Sequence, residues 1–571
     1  GHTRVLTTQR PIGWKSLPIF PYRFADGVFI MSAINPDWIG SEILAVNGTS
    51  IDSVYAAIAP YVSSDNYWDR FRDVEESTGQ FLWANLLKAV GIIDNLDEIP
   101  IQIKDKQDNI KTIKVKAIMP NTEEWLRFAI SDPYRPNVPD NLEWSPAAEA
   151  QRNIEPNYKL NYNNQSHLLY LDLNLIVHSS KDWTLSHLAD SLRHIADNNP
   201  IDKMVVDLRT NGGGNSSDAE PLISLFSNHP KLGKYGTLYT LVSPEATSAG
   251  GIFIMQMERR TKTIIAGEES SFTPNIWGET VPAMLSNSKI TALLSHTTHL
   301  EGMPGTTRDY LEPDIYVPMT SYQHFNNVDS TLIKVKNHVV NPKPNIKLSE
   351  EQIEAFTGIY QLSPIHRAKI VKEGDQLIFQ IDRRTGKSFL KSDLHPASSS
   401  RLFTDITDVS IFRRFEDEKL RLAWKDTVYV LTQANGELTL PGEHIKAGEI
   451  KKAEKKIKNA IKSGMLLGSD FIEKPLIDLV DKQPIPIWPE KLSKTKKAKL
   501  ALPYAQLARE LAPMSWYSAA DLAYLYYILD KKKEMMKAAR KTLKLSPVRG
   551  ASYLKEYLKL NVSQDGKIIE K

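Results

Sequence analysis

Apolar and polar positions change their rhythm several times along the chain. From residue 167, HLLYLDLNLI is followed by a helix-like stretch, WTLSHLADSLRHIADN. Then comes KMVVDLR, a nearly continuous apolar run of the kind buried on both faces of a sheet. Strand, helix, strand in that order predicts a parallel sheet. PLISLFSNH next reads as helix, YGTLYTLVS as strand, GGIFIMQMERR as helix and KTIIAGE as a further strand, so an α/β domain is expected over 121–342.

Other segments follow different patterns. Within 16–120, FPYRFADGVFIMSAINPDWIGSEILAVNGTSI predicts short strands, with ILAVNG alternating into an Asn-Gly turn; further strands are expected at 100–104 and 111–117, around a helical pattern over 66–93. Beyond the linker NPKPNIKLSEEQ, AKIVKEGDQLIFQIDRR and LRLAWKDTVYVLTQ read as hairpins of a small antiparallel β domain over 348–442. Residues 443–571 are expected to be helical, with Ala519, Ala523, Ala538 and Ala539 letting two helices pack closely in a tetratricopeptide-like pair. The expected architecture is thus multidomain, α/β and α+β.

Composition narrows the function classes. A length of 571 residues, at about 100–200 residues per domain, fits several domains. A net charge of +3 supplies no strong field for nucleic acid, so no nucleic-acid partner is expected, and KLSKTKKAK reads as a solvated face or linker. The chain has no cysteine, which removes thiol catalysis, disulfides and zinc–thiolate sites. No apolar run reaches the roughly 18 residues of a membrane helix, so no integral span is expected, and the start GHTRVL leaves room for a signal peptide upstream.

Two stretches carry candidate chemistry. DLRTNGGGN at 207–215 puts three glycines directly after a predicted buried strand, where backbone N–H groups can approach an anion or oxyanion; a flexible turn is the alternative. Neither G-x-x-x-x-G-K-[ST] nor G-x-G-x-x-G occurs, so a phosphate loop is disfavoured. SPEATSAGGIFIM at 243–255 sets Ser248 on a strand-to-helix turn before Ala249, Gly250 and Gly251, exposing its hydroxyl beside free helix N-terminal N–H groups; simple helix capping by Ser248 or Thr247 is the alternative. His187 and His194 read as packing or surface residues, no H-E-x-x-H or comparable cluster occurs, and neither a catalytic metal nor a cofactor is expected.

Together these residues resemble the S41 serine peptidases, which include the carboxy-terminal processing proteases and the tricorn core protease. The family's D-L-R-x-N-x-G-G is matched by Asp207–Gly214, its T/S-S-A by Thr247–Ala249, its I-G-E with Pro-Asn and Gly by IIAGEESSFTPNIWGE, and its P-D-I-x-V by Pro313–Val317. GSEILAVNGTSI at 40–51 is similar to the signature of the PDZ-like module that family members carry. The resemblance implies a ClpP/crotonase-like α/β core with Ser248 as nucleophile. It implies a histidine base in a D-G-H-T-R-like motif, matched by His2 within Gly1–Arg4, so that 1–15 would be the remnant of a region lying further upstream. The family's G-K-G lysine has no counterpart at SFTPN, and the glutamate after S-A-x is replaced by Gly251.

An imidazole base needs a carboxylate to fix its tautomer; Asp309 is the first candidate and Glu268 the second. Backbone N–H groups of Ala249 and Gly213 are expected to hold the oxyanion. The implied activity is peptide-bond hydrolysis on polypeptide substrates, captured by strand addition on the PDZ-like module, in the periplasm or outside the cell. A catalytically silent peptide-binding scaffold is the alternative, and the oligomeric state is left open.

Overall fold

Four apolar runs line up side by side as the sequence pattern predicts, with two further strands at the edges. In the computed structural model, β1 (Tyr158–Asn163), β2 (Leu168–Leu173), β3 (Lys203–Asp207), β4 (Leu238–Val242), β5 (Ile264–Gly267) and β6 (Ile315–Tyr316) form one sheet in the order β6-β5-β4-β3-β2-β1. Strands β2 to β6 run parallel, and β1 pairs antiparallel with β2 at the edge. The structure describes residues 3–6, 12–61, 83–119, 157–178, 183–303, 306, 308–382, 388–414, 417, 419–434, 438–447, 449–462, 493–511, 516–563 and 568–569. The chain divides into two units, Gly1–Ser295 with Thr307–Pro342, and His296–Thr306 with Lys343–Lys571.

Every residue of β2 and β4 is buried, because both faces of the parallel sheet are covered. On one face Leu169, Leu171, Met204 and Val206 pack with helices α1 (Leu185–Asn198), α2 (Glu220–Asn228) and α3 (Ala249–Arg260). On the other, Leu168, Tyr170, Val205, Tyr239 and Leu241 pack on Leu332 and Val335 of the helix Ser330–Asn337. The alternation along each strand divides the two cores. Thr184 and His187 close α1 with a capping box, which gives His187 a structural task.

The N-terminal part of this unit is a six-strand sheet, a meander of Ile19–Phe24, Gly27–Ala33, Glu42–Val46, Ile99–Lys104 and Ile110–Val115 with the short strand Thr49–Ser50 paired on Glu42–Val46, around its own core. The Asn-Gly turn forms with positive φ at both residues, 47° at Asn47 and 79° at Gly48, as a tight hairpin requires. Of the helical pattern at 66–93, Ala84–Ala89 is helical, and 62–82 lie outside the described residues. Two long strands, Asn275–Met284 and Thr291–Leu300, occupy a stretch for which the pattern gave no element.

In the second unit the expected hairpins form a nine-strand antiparallel path from Gly358 to Gln433. Its two ends, Thr427–Val430 and Thr432–Gln433, are consecutive in the chain. The first pairs with Leu420–Trp424 and the second with Gly358–Ser363. Leu431 between them donates its N–H to the Leu420 carbonyl, so one bent strand serves two neighbours and the meander closes into a barrel. Phe356, Tyr360, Phe379 and Trp424 fill its apolar core.

Further along, helices Trp516–Ile528 and Lys532–Leu545 share an apolar cluster that holds fully buried Ala523 and Ala539, with Ala538 packed against it; Ala519 is also buried. Ala523→Leu should overpack this contact and cost about 1–3 kcal/mol, read as a lower midpoint in urea unfolding.

Candidate active site

Strands β3 and β4 end side by side, and the chain beyond each forms the site. After β3, Asp207 and Arg209 are buried, and the Arg209 guanidinium donates to both carboxylates of Asp207 (2.6 Å) and Asp329 (2.7 Å). Burial alone would raise the Asp207 carboxyl, but the charge and hydrogen bonds of Arg209 outweigh it and hold it below the usual carboxylate range. Tyr170 donates its hydroxyl to the same carboxylate. The Ser243 hydroxyl donates to the Arg209 carbonyl (2.6 Å), joining the end of β3 to the loop after β4.

That loop delivers Ser248 with φ 54° and ψ −123°, immediately before the 12-residue helix α3. A serine in this region is strained by about 1–3 kcal/mol, and such strain persists only where neighbours over-determine it. The determinants are visible: Thr247 N–H donates to the Asn211 carbonyl (3.0 Å), Gly250 N–H to Thr247 (2.9 Å), and Ile252 N–H to Ser248 (3.1 Å). Glycine is required at 250, where a Cβ would lie 2.5 Å from Asn211 Oδ1. Ser248 is half-buried, and its hydroxyl has no hydrogen-bond partner among the described residues. The helix dipole of α3 favours negative charge at this point.

The glycine turn lies against the serine, since a Cβ on Gly213 would come 2.8 Å from Ser248 Cβ. Here the structure corrects the sequence expectation, because the Gly213 N–H is already donated to Asn211 Oδ1 (2.9 Å). The next peptide is the available one. Ile176 N–H donates to the Gly213 carbonyl (2.8 Å), and in a trans peptide the Gly214 N–H then points the opposite way, away from Ile176. Among the described residues neither Gly214 N–H nor Ala249 N–H has a partner. The sequence could locate the turn but not the peptide orientation within it.

The remaining candidates are distributed as follows. His2 lies outside the described residues. The chain just after it is described: Thr3 Oγ1 accepts from Ser295 N–H (2.9 Å), and Arg4–Val5 pairs antiparallel with Leu293 and Ala292. Asp309 is exposed, beside Arg308, which forms a bidentate pair with the buried Glu258 (2.7 and 2.9 Å). Glu268 follows β5 and accepts the Met319 N–H (3.0 Å). Its neighbour Glu269, which pattern reading passed over, has its carboxyl pushed up by burial and then by the charge of Glu312. No three His, Asp or Glu side chains among the described residues group so as to hold a metal ion.

The first unit thus presents a strained serine at a strand-to-helix turn on a parallel sheet, with the glycine turn after β3 against it. No family model matches the chain, and no curated protein matches it. Solved structures do. The chain is similar to mature CPAF in complex with lactacystin, at 11% identity over 57% of this chain and 84% of that one, TM-score 0.38. It is also similar to the photosystem II D1 C-terminal processing protease, at 12% identity over 55% and 78%, TM-score 0.26. A putative S41 protease from Bacteroides fragilis matches at 13% identity over 59% and 85%, TM-score 0.28.

Proposed function

We propose that the chain is a serine peptidase of the S41 kind, acting on polypeptides. The observation that carries the reading is Ser248 itself, held at positive φ at the start of α3, its hydroxyl without a partner among the described residues and Gly213 of the glycine turn lying against it. Neither capping nor packing calls for that backbone strain.

In this reading His2 takes the Ser248 proton as the hydroxyl oxygen attacks the scissile carbonyl, and the carbonyl electron pair collects on an oxyanion held by Ala249 and Gly214. The protonated imidazole then gives its proton to the leaving amine, and water hydrolyses the acyl-enzyme by the same sequence. Asp309 orients the imidazole; Glu268 is less suited, with one oxygen already on the Met319 N–H. The meander over 19–115 would be the PDZ-like module that captures substrate as an added strand, and the tail helices the tetratricopeptide-like pair. A periplasmic or extracellular setting follows from the S41 resemblance alone; among the described residues no helix is long and apolar enough to cross a membrane.

The test is labelling with a fluorophosphonate probe, followed by peptide mapping, alongside cleavage of unfolded casein. Labelling mapped to Ser248 together with casein cleavage is expected. A folded parent that takes no label and leaves casein intact would sink the reading in favour of the silent scaffold.

A further inference from the structure

Asn211 lies in the glycine turn but is fully buried, and each of its polar atoms has a partner on a different part of the site. Its N–H donates to the Leu208 carbonyl (3.0 Å) at the end of β3, and its carbonyl accepts from Thr247 N–H (3.0 Å) next to the serine. Its Nδ2 donates to the Leu173 carbonyl (2.7 Å) at the end of β2, and its Oδ1 accepts from Gly213 N–H (2.9 Å). One residue therefore links the site: its side chain ties the end of β2 to Gly213, and its backbone ties the end of β3 to the loop that carries Ser248.

We infer that Asn211 is the positioning residue of the oxyanion site: it fixes the Gly213–Gly214 peptide so that its N–H faces Ser248. This rests on the peptidase reading above. The Gly213–Gly214 peptide is flanked by glycine at both ends, which leaves its rotation open, with φ 102° at Gly213 and 131° at Gly214. Two anchors remove that freedom. Ile176 N–H holds the Gly213 carbonyl, and Asn211 Oδ1 holds the Gly213 N–H on the preceding peptide. The same Oδ1 also marks the packing limit of α3, as the 2.5 Å approach to a Cβ at position 250 indicates. The carboxamide thereby sets the glycine turn and the packing limit of the helix start, while the Asn211 backbone carbonyl holds the loop before the serine.

Without the Asn211 carboxamide only the bond from Ile176 N–H still restrains the peptide, so its orientation loosens and stabilisation is lost where charge develops rather than where substrate binds. Asn211→Ala should lower kcat on a peptide substrate by about 10²–10³, as loss of one oxyanion donor does, while KM stays within about threefold. Affinity for a peptide aldehyde should fall in parallel with kcat. Asn211→Asp keeps the acceptor for Gly213 but sets a carboxylate against the Leu173 carbonyl, which only its protonated form can satisfy. Its kcat relative to the parent, measured where both proteins are fully folded at every pH by circular dichroism, should therefore rise as pH falls.

Should Asn211→Ala fail to fold, Gly250→Ala serves. Its Cβ pushes on Oδ1, at an overpacking cost of about 1–3 kcal/mol that lowers the melting temperature, so kcat per folded molecule, measured well below that temperature, should fall. The inference is overturned if either folded variant, Asn211→Ala or Gly250→Ala, turns over at the parent rate. If the parent itself takes no fluorophosphonate label and cleaves nothing, it is the peptidase reading that has failed.

Discussion

Ser248→Gly is expected to abolish casein cleavage, with a rate loss of about 10⁶, and at the same time to raise the melting temperature of the first unit. The two effects have one origin. At φ 54° and ψ −123° the Ser248 Cβ sits in a region that only glycine enters freely. Removing Cβ releases about 1–3 kcal/mol of strain, against about 0.5–1 kcal/mol of added chain entropy in the unfolded state. A net gain of about 1 kcal/mol shifts the midpoint by about 1–2 °C for a unit of this size. Calorimetry beside the cleavage assay reads both. A variant that is inactive and also less stable than the parent would show that the turn stores no strain at this residue.

The second large effect is expected at Arg209, which side-chain exposures of 4% for Arg209, 4% for Asp207 and 9% for Asp329 place in a buried triad. Arg209→Met leaves two carboxylates facing each other without their cation, a loss of about 3–5 kcal/mol at neutral pH. The pH dependence follows from the direction of the Asp207 shift. In the parent its folded pKa lies below the ordinary value, so its contribution is present above the unfolded pKa of about 3.9 and is lost as pH falls through the folded value. In the variant burial remains without the guanidinium, which moves the folded pKa above the unfolded one. The variant's deficit should therefore be smallest at about pH 4 and below, and widen as pH rises. Urea unfolding at acidic and neutral pH decides it; a deficit independent of pH would mean that Asp207 does not carry the effect.

Much of the site was legible because its signals are local. The apolar runs of β2, β3 and β4 mark a two-face-buried sheet, and three glycines or Ser-Ala-Gly-Gly after such a strand break the core pattern in ways that only turns explain. What was not legible depends on partners far away in the chain. Arg209 and Asp329 meet across 120 positions. Gly213 and Gly214 are chemically identical in sequence, and only the Asn211 carboxamide and the Ile176 N–H distinguish which N–H is free. The strand Asn275–Met284 contains a proline, and Thr291–Leu300 runs TALLSHTTHL without alternation, so neither announces itself. Whether His2 approaches Ser248 lies outside the described residues.

The bent strand over 427–433 has a consequence for how the second unit could be rearranged. Because Gln433 pairs with Tyr360, the chain enters and leaves the barrel at adjacent points. Ala434 N–H even donates to the Ile359 carbonyl, so the two ends of the barrel segment are hydrogen-bonded neighbours. Such a segment is suited to transplantation as a cassette, since a host loop need only open by the spacing of two neighbouring strands, about 5 Å, to receive it. It is equally suited to circular permutation, with new termini at any hairpin and a short bridge across the old ones.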